Sequence, residues 1–466
     1  MTEELPQMGK TYVAEIVDLN NLGFGVCKIG GMSVFVADTV EGDLAEITII
    51  KKAKTYAVGK RNRLVSPSAF RIPDQEGCPR ARQCGGCAFQ RITYGEELRL
   101  KQKQVRFALR KAGLNDVTVH DVLSTGQISR YRNKAQFPVG KGPTGATEVG
   151  FYRPRSHTLV PINDCLLLPE SFSRIAKWIA SYCDREQISP YDEKERSGLL
   201  RHIFLREGKA TGDVMVCLVI NGKAFPKEQF FCAELVHSFP SVVSVVLSIN
   251  REQTNVILGG ETRVIWGNQH IEDVLCGLRF EIGPNSFYQV NHDATEILYS
   301  KAAELLALQP GERVLDLYCG IGTIGLSMIG CDDSRRVCSL IGMEEIPEAV
   351  KSAESNARNN GISNASFIVS DLQEDVKERN WESLDAVIVD PPRKGLSDRV
   401  IRMINRMMIP RVLYISCDPD TLARDLVIFR DAGYVFKEVF PVDLFPRTGH
   451  VEVVTLITRA GVEATE

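Results

Sequence analysis

Between residues 313 and 417 the chain repeats one local pattern: a short apolar run that closes on an acidic or nucleophilic side chain. The first run, VLDLY (314–318), leads into Gly320 and Gly322 and then into TIGLSMI (323–329), which reads as a strand, a glycine turn and a helix. SLIGME closes on Glu344, SFIVSD on Asp371, LDAVIVD on Asp390 and RVLYISC on Cys417. Continuous apolar strands alternating with helices predict a parallel sheet covered on both faces, with ligands held outside the carboxyl ends of the strands. The expected class is therefore α/β, Rossmann-like, over residues 276–466, entered through a helix at 293–307.

The strand ends also rank the ligands. Gly320, Gly322 and Gly325 alone would suit a dinucleotide, but acidic residues at successive strand ends suit S-adenosylmethionine, with Glu344 at a ribose diol and Asp371 at an adenine amino group. Taken singly, Glu344 or Asp371 equally suits a helix N-cap. Cys417 at a strand tip reads as a nucleophile, and a helix starting near Asp420 is expected to lower its pKa through exposed amides. Glu452 follows in a His-Val-Glu turn that enters a terminal strand.

The N-terminal part has a different character. Residues 1–165 hold 24 Lys/Arg against 16 Asp/Glu, although the whole chain has a net charge of −3. Such asymmetry suits a polyanionic partner at one end, or ordinary surface variation. Five strand-like runs between 10 and 66, separated by NLGFG, IGG and VEGD, predict a small OB-like barrel over residues 1–70. Lys51, Lys52, Lys54, Lys60, Arg61, Arg63 and Arg71 follow one another with no acidic residue between Glu46 and Asp74, a strip that fits RNA backbone or simply guards an edge strand. Residues 71–275 read as an α+β middle region, within which 94–112 is an amphipathic helix with Arg99, Lys101, Lys103, Arg106, Arg110 and Lys111 on one face, placed to pack on the last domain. Arg130, Tyr131, Arg132, Asn133, Lys134, Arg153 and Arg155 are candidate RNA contacts or strand-surface residues.

Thirteen cysteines make an odd number for a disulfide framework. Cys78, Cys84 and Cys87 form a C-x5-C-x2-C cluster around Gly85 and Gly86, and Cys165, in a loop flanked by prolines, is the expected fourth ligand. An all-thiolate set suits an iron-sulfur cluster or structural zinc, and the spacing does not choose between them. At 44% hydrophobic and 25% charged residues the composition is that of a globular chain, without an apolar run long enough for a membrane span. The acidic start has no signal-peptide core, so a cytoplasmic protein is expected, and a monomer is expected of a chain that engages a large RNA.

FYQVN (287–291), LDLYCGIGT (315–323), VDPPRKG (389–395), SCDP (416–419) and FPRTGHVE (445–452) together resemble the RNA uracil-5 methyltransferases. The resemblance covers nearly the whole chain, the barrel being similar to a TRAM domain. It implies a class I S-adenosylmethionine-dependent fold, with Gln289, Tyr318, Gly320, Thr323, Glu344, Asp371 and Asp390 around the cofactor, Cys417 as nucleophile and Glu452 as general base. It further implies that Cys78, Cys84, Cys87 and Cys165 hold a 4Fe-4S cluster rather than zinc, as in the ribosomal-RNA members. Transfer-RNA members are expected to lack barrel and cluster, which makes 23S ribosomal RNA the expected partner and transfer RNA the alternative. Rival readings are an adenine amino-methylating enzyme, suggested by DPPR, a cytosine-5 enzyme, a non-catalytic RNA-binding scaffold and a cluster-dependent redox enzyme.

Overall fold

A computed structural model describes residues 4–73, 75–330, 338–371 and 383–461. At the N-terminus, strands Thr11–Glu15, Asp18–Leu19, Gly25–Ile29, Met32–Val36, Leu44–Lys52 and Tyr56–Ser66 form a six-stranded sheet. Alternate side chains point inward, and Val34, Val36, Ala45, Ile47 and Ala57 are fully buried. The run read as one first strand is two. Thr11–Glu15 pairs with Leu44–Lys52, whereas Asp18–Leu19 pairs with Gly25–Ile29 at the far end of the strand order. One bent segment thus closes the sheet on itself, which removes exposed edges.

The middle region is a seven-stranded sheet in the order Leu159–Pro161, Thr147–Tyr152, Lys134–Lys141, Leu200–Glu207, Val214–Ile220, Val242–Ile249 and Glu261–Gly267. All seven residues of Val214–Ile220 are buried. Helix Glu170–Arg185 covers this sheet with Phe172, Ile175, Ala176 and Ile179, the i, i+3, i+4, i+7 spacing of one helical face.

In the last region five parallel strands stand in the order Ala365–Val369, Ser339–Glu344, Arg313–Leu317, Ala386–Val389 and Arg411–Ser416. Glu452–Arg459 continues the sheet antiparallel to Arg411–Ser416, with Ser416 opposite Val453, so Cys417 and Glu452 leave adjacent strands side by side. Beyond it lie Glu438–Val442 and Thr118–Val119. The hairpin Ile271–Leu275 and Leu278–Ile282 and helix His292–Leu306 share one core with this sheet.

Helix Tyr94–Lys111 buries Val105, Ala108 and Leu109 in the second core of this sheet, beside Leu422 and Leu426 of helix Pro419–Asp431. Its basic face is not wholly open. Lys101 is completely buried, ion-paired to Glu97 at 2.8 Å and to Asp443 at 2.6 Å, and it donates to the Phe445 carbonyl at 3.1 Å. Arg99 pairs with Glu96 and Glu41, Lys103 with Asp18 and Lys111 with Asp420. The helix links barrel and sheet through these pairs, while Arg106 and Arg110 remain exposed. Among the described residues no helix is long and apolar enough to cross a membrane.

Candidate active site

The glycine loop is held from below by a residue that sequence reading passed over. Asp316, completely buried within the strand Arg313–Leu317, accepts from the Gly325 amide at 3.0 Å. A Cβ at Gly325 would lie 2.7 Å from the Asp316 carboxylate, so only glycine allows this approach. Burial pushes the Asp316 carboxyl up to about 8. Its signal was an acid inside an apolar run, where a buried strand otherwise admits none.

Around the loop the strand ends converge. Tyr318 takes a left-handed φ of 66°, a conformation that costs energy in a non-glycine residue and turns the chain sharply off the strand. Glu344 accepts from the Gly320 amide at 3.1 Å and from the Ile346 amide at 3.0 Å, which fixes its carboxylate against the glycine loop. Asp371 is half-buried just past the neighbouring strand. Thr323 opens helix Thr323–Gly330 with its hydroxyl 3.2 Å from the Tyr299 hydroxyl. Gln289 is buried, and its backbone carbonyl accepts from the Asn133 side chain at 2.9 Å.

One strand further on lies a different chemistry. Asp390 follows Ala386–Val389, and burial raises its carboxyl to about 7. Glu452, buried at the start of its strand, is pushed up to about 8, first by burial and then by Asp390, with Arg393 opposing. The Cys417 thiol is raised to about 12 by burial, then by Glu452 and Asp390, again against Arg393. The sequence expectation of a thiol acidified by a helix N-terminus is therefore corrected. The Asp418 side chain caps helix Pro419–Asp431 itself, accepting from the amides of Asp420 at 3.0 Å and Thr421 at 3.2 Å, so those dipoles are spent on a carboxylate. Carboxylates beside Cys417 add to the effect. The Cys417 side chain therefore rests as a neutral thiol.

Cys417 opens onto a cleft of about 1270 Å³ whose walls include barrel residues, the cysteine-rich loop and the turn Phe445–His450. Lys60, Arg82, Arg132, Arg155 and Arg393 line it. At its edge a barrel turn touches the turn Phe445–His450 directly: a Cβ at Gly449 would lie 1.8 Å from the Asn21 carbonyl oxygen. Of the barrel's basic strip, Arg61, Arg63 and Arg71 pair with Asp38, Glu46 and Asp43, whereas Lys51, Lys52, Lys54 and Lys60 are exposed. Of the later basic cluster, Arg130 pairs with Asp164, and Tyr131 and Asn133 are buried against backbone, so these three are structural.

Cys78, Cys84, Cys87 and Cys165 line a single cavity of about 340 Å³, and Cys84 and Cys87 also form part of the cleft wall. Their sulfurs surround the space without meeting: among the described residues no three His, Cys, Asp or Glu side chains form a metal-binding group. Burial pushes the Cys87 thiol up to about 12 and the Cys165 thiol to about 11, with the neighbouring sulfurs adding to both. Four cysteines lining one cavity are the donor set of an all-thiolate centre, whose metal would hold them as thiolates.

A family model described as tRNA (Uracil-5-)-methyltransferase matches residues 261–460. Proteins of Clostridium tetani and Bacillus cereus, each described as an uncharacterized RNA methyltransferase, are 38% identical to this chain; they cover 99% and 98% of it, and each is itself 99% covered. Among solved structures, the Pyrococcus abyssi tRNA (uracil-54, C5)-methyltransferase in complex with S-adenosyl-L-homocysteine superposes with a TM-score of 0.76 at 29% identity, over 96% of this chain and 99% of that one. So broad a match leaves too little outside it to exclude a barrel of 70 residues. Possession of the barrel therefore does not separate ribosomal from transfer-RNA enzymes, contrary to the sequence expectation. The fold, the acidic strand ends and these relatives lead to one conclusion: the chain belongs to the RNA uracil-5 methyltransferase family, and it is an S-adenosylmethionine-dependent enzyme acting on RNA.

Proposed function

We propose that the enzyme forms 5-methyluridine at a specific uridine of 23S ribosomal RNA through a covalent adduct on Cys417. The observation that supports the mechanism is that Cys417, which lines the cleft, adjoins the buried Glu452 carboxyl across two paired strands.

Bound S-adenosylmethionine supplies an electrophilic methyl group, for which Gln289, Tyr318, Gly320, Thr323, Glu344, Asp371 and Asp390 form the binding site. Uracil C5 is too poor a nucleophile to take that methyl unaided. Cys417 loses its proton to the Asp390 carboxylate, and its sulfur adds to C6, which makes the ring an enolate with a nucleophilic C5. Arg393 is the cation that favours the thiolate. Once C5 carries both methyl and hydrogen, the Glu452 carboxylate removes that hydrogen as a proton. The C6–S bond then breaks by elimination and the thiolate returns. Asp390 would also hydrogen-bond the uracil edge. The uridine has to leave its stack to reach Cys417, and the exposed lysines of the barrel and the cationic cleft wall hold the surrounding RNA.

The four cysteines hold a 4Fe-4S cluster in this reading. Methyl transfer to an enolate requires no electron, so the cluster's part is to fold the loop that walls the cleft. The likeness of this cysteine set to that of ribosomal-RNA enzymes supports 23S RNA, while the extent of the match to an enzyme described for tRNA supports transfer RNA as the second reading. The test is nucleoside mass spectrometry after incubation with S-adenosylmethionine and unmodified 23S RNA or unmodified tRNA. 5-Methyluridine in the 23S RNA is expected, and its formation in tRNA alone would overturn the ribosomal assignment.

A further inference from the structure

The run Arg130–Lys134 faces two sites at once. Arg132 and Lys134 line the four-cysteine cavity. Arg130 donates to Asp164 Oδ1 at 2.8 Å and Oδ2 at 2.6 Å, and to the carbonyls of Cys165 at 2.9 Å and Leu168 at 2.8 Å. The amides of Arg130 and Arg132 donate to the carbonyls of Leu166 at 2.8 Å and Leu167 at 3.0 Å, so the run is laced to the chain that follows Cys165.

The side chains of Tyr131 and Asn133 reach the other domain instead. The Tyr131 hydroxyl donates to the Pro446 carbonyl at 2.9 Å, in the turn that leads to Glu452. The Asn133 side chain donates to the Gln289 carbonyl at 2.9 Å, and its backbone amide donates to Val290 at 2.9 Å. Upstream, Arg206 grips the same segment through the carbonyls of Gly283 at 2.7 Å and Ser286 at 2.8 Å. Arg206 is 2% exposed and has no ion-pair partner among the described residues. A buried cation satisfied by carbonyl groups alone holds them firmly, because releasing either leaves a charge without a partner. The stretch Gly283–Asn291 is thus set by the middle region.

We propose that Arg130 and Asn133 are positioning residues through which the ordered four-cysteine loop sets Gln289, and with it the affinity for S-adenosylmethionine. This rests on the assignment of Gln289 to the cofactor made above. The test measures the Kd for S-adenosylmethionine by calorimetry, without RNA, on full-length anaerobically purified protein carrying Asn133→Ala, Arg130→Gln, both together, or Gln289→Ala. Asn133→Asp, of equal size but without the donor, serves if Asn133→Ala does not fold.

Each single positioning variant is expected to raise the Kd about tenfold, as loss of a buried hydrogen bond would. The KM for S-adenosylmethionine should rise in parallel while kcat at saturation is kept, a split that general destabilisation would not give. The double variant should be weaker by less than the product of the two, the mark of one shared path. A Kd unchanged by Asn133→Ala while Gln289→Ala weakens binding overturns the inference and spares the assignment of Gln289. A Kd unchanged by Gln289→Ala overturns both, and a double effect equal to the product removes the link to the cysteine loop.

Discussion

Two sites of the molecule are built around part-buried thiols, and the thiols differ in their company. Cys87 and Cys417 are both raised to about 12, chiefly by burial. Around Cys87 the neighbours that add to the shift are Cys165, Cys84 and Cys78. Around Cys417 they are the carboxylates Glu452 and Asp390, with Arg393 opposing. Four sulfurs around one space suit a shared metal centre, whereas one sulfur beside a proton acceptor suits reversible covalent chemistry. Thiol pKa alone would not have told the two sites apart.

The comparison breaks most visibly at Cys417. Replacement by Ala is expected to lower methyl transfer by several orders of magnitude, read as methyl incorporation into RNA, while leaving binding of S-adenosylmethionine intact. Glu452→Gln should separate the two halves of the reaction. Addition and methyl transfer proceed but the C5 proton stays, so a covalent RNA–protein complex resistant to denaturant should accumulate on a gel.

The same variant sharpens the electrostatic account. Glu452 is raised from an ordinary 4.5 to about 8, so its protonated form favours the folded state below pH 4.5, and that contribution is lost as pH rises through about 8. Wild type should therefore lose thermal stability across this window by a margin that Glu452→Gln lacks. Product release in wild type should accelerate with pH towards about 8, since the carboxylate form is the base.

Cys87→Ser should have a smaller effect of another kind: lower iron content and a lower Tm, with the thiol-adduct chemistry retained by the fraction that folds. A variant with all four cysteines replaced by serine that melts and methylates like wild type would remove the structural role of that site. The smallest effect is expected for Asp418→Ala, which loses a helix cap worth about 1 kcal/mol, read as a Tm shift.

Much of this was legible because the catalytic sheet is written in continuous apolar runs. The acids at Glu344, Asp371 and Asp390 and the thiol of Cys417 could be placed at strand ends from periodicity alone, and the helix expected at 293–307 spans His292–Leu306. What stayed hidden depended on distant partners. Lys101 looks like one more surface lysine until Asp443, 342 positions away, arrives beside it. The split of the first barrel strand depends on pairing with both ends of the sheet. At Cys417 the local pattern misled, because the thiol's surroundings are set by burial and by Glu452 and Asp390 from other strands, while the helix N-terminus beside it is capped by Asp418.

The central claim is that Cys417 activates C5 of uracil by adding to C6. Its most direct test is release of tritium from RNA carrying uridine tritiated at C5, with S-adenosylmethionine and either wild type or Cys417→Ala. Release by wild type in step with methyl incorporation, and none from the variant, is the predicted result. Methyl incorporation without tritium release, or release unaffected by Cys417→Ala, would contradict the account.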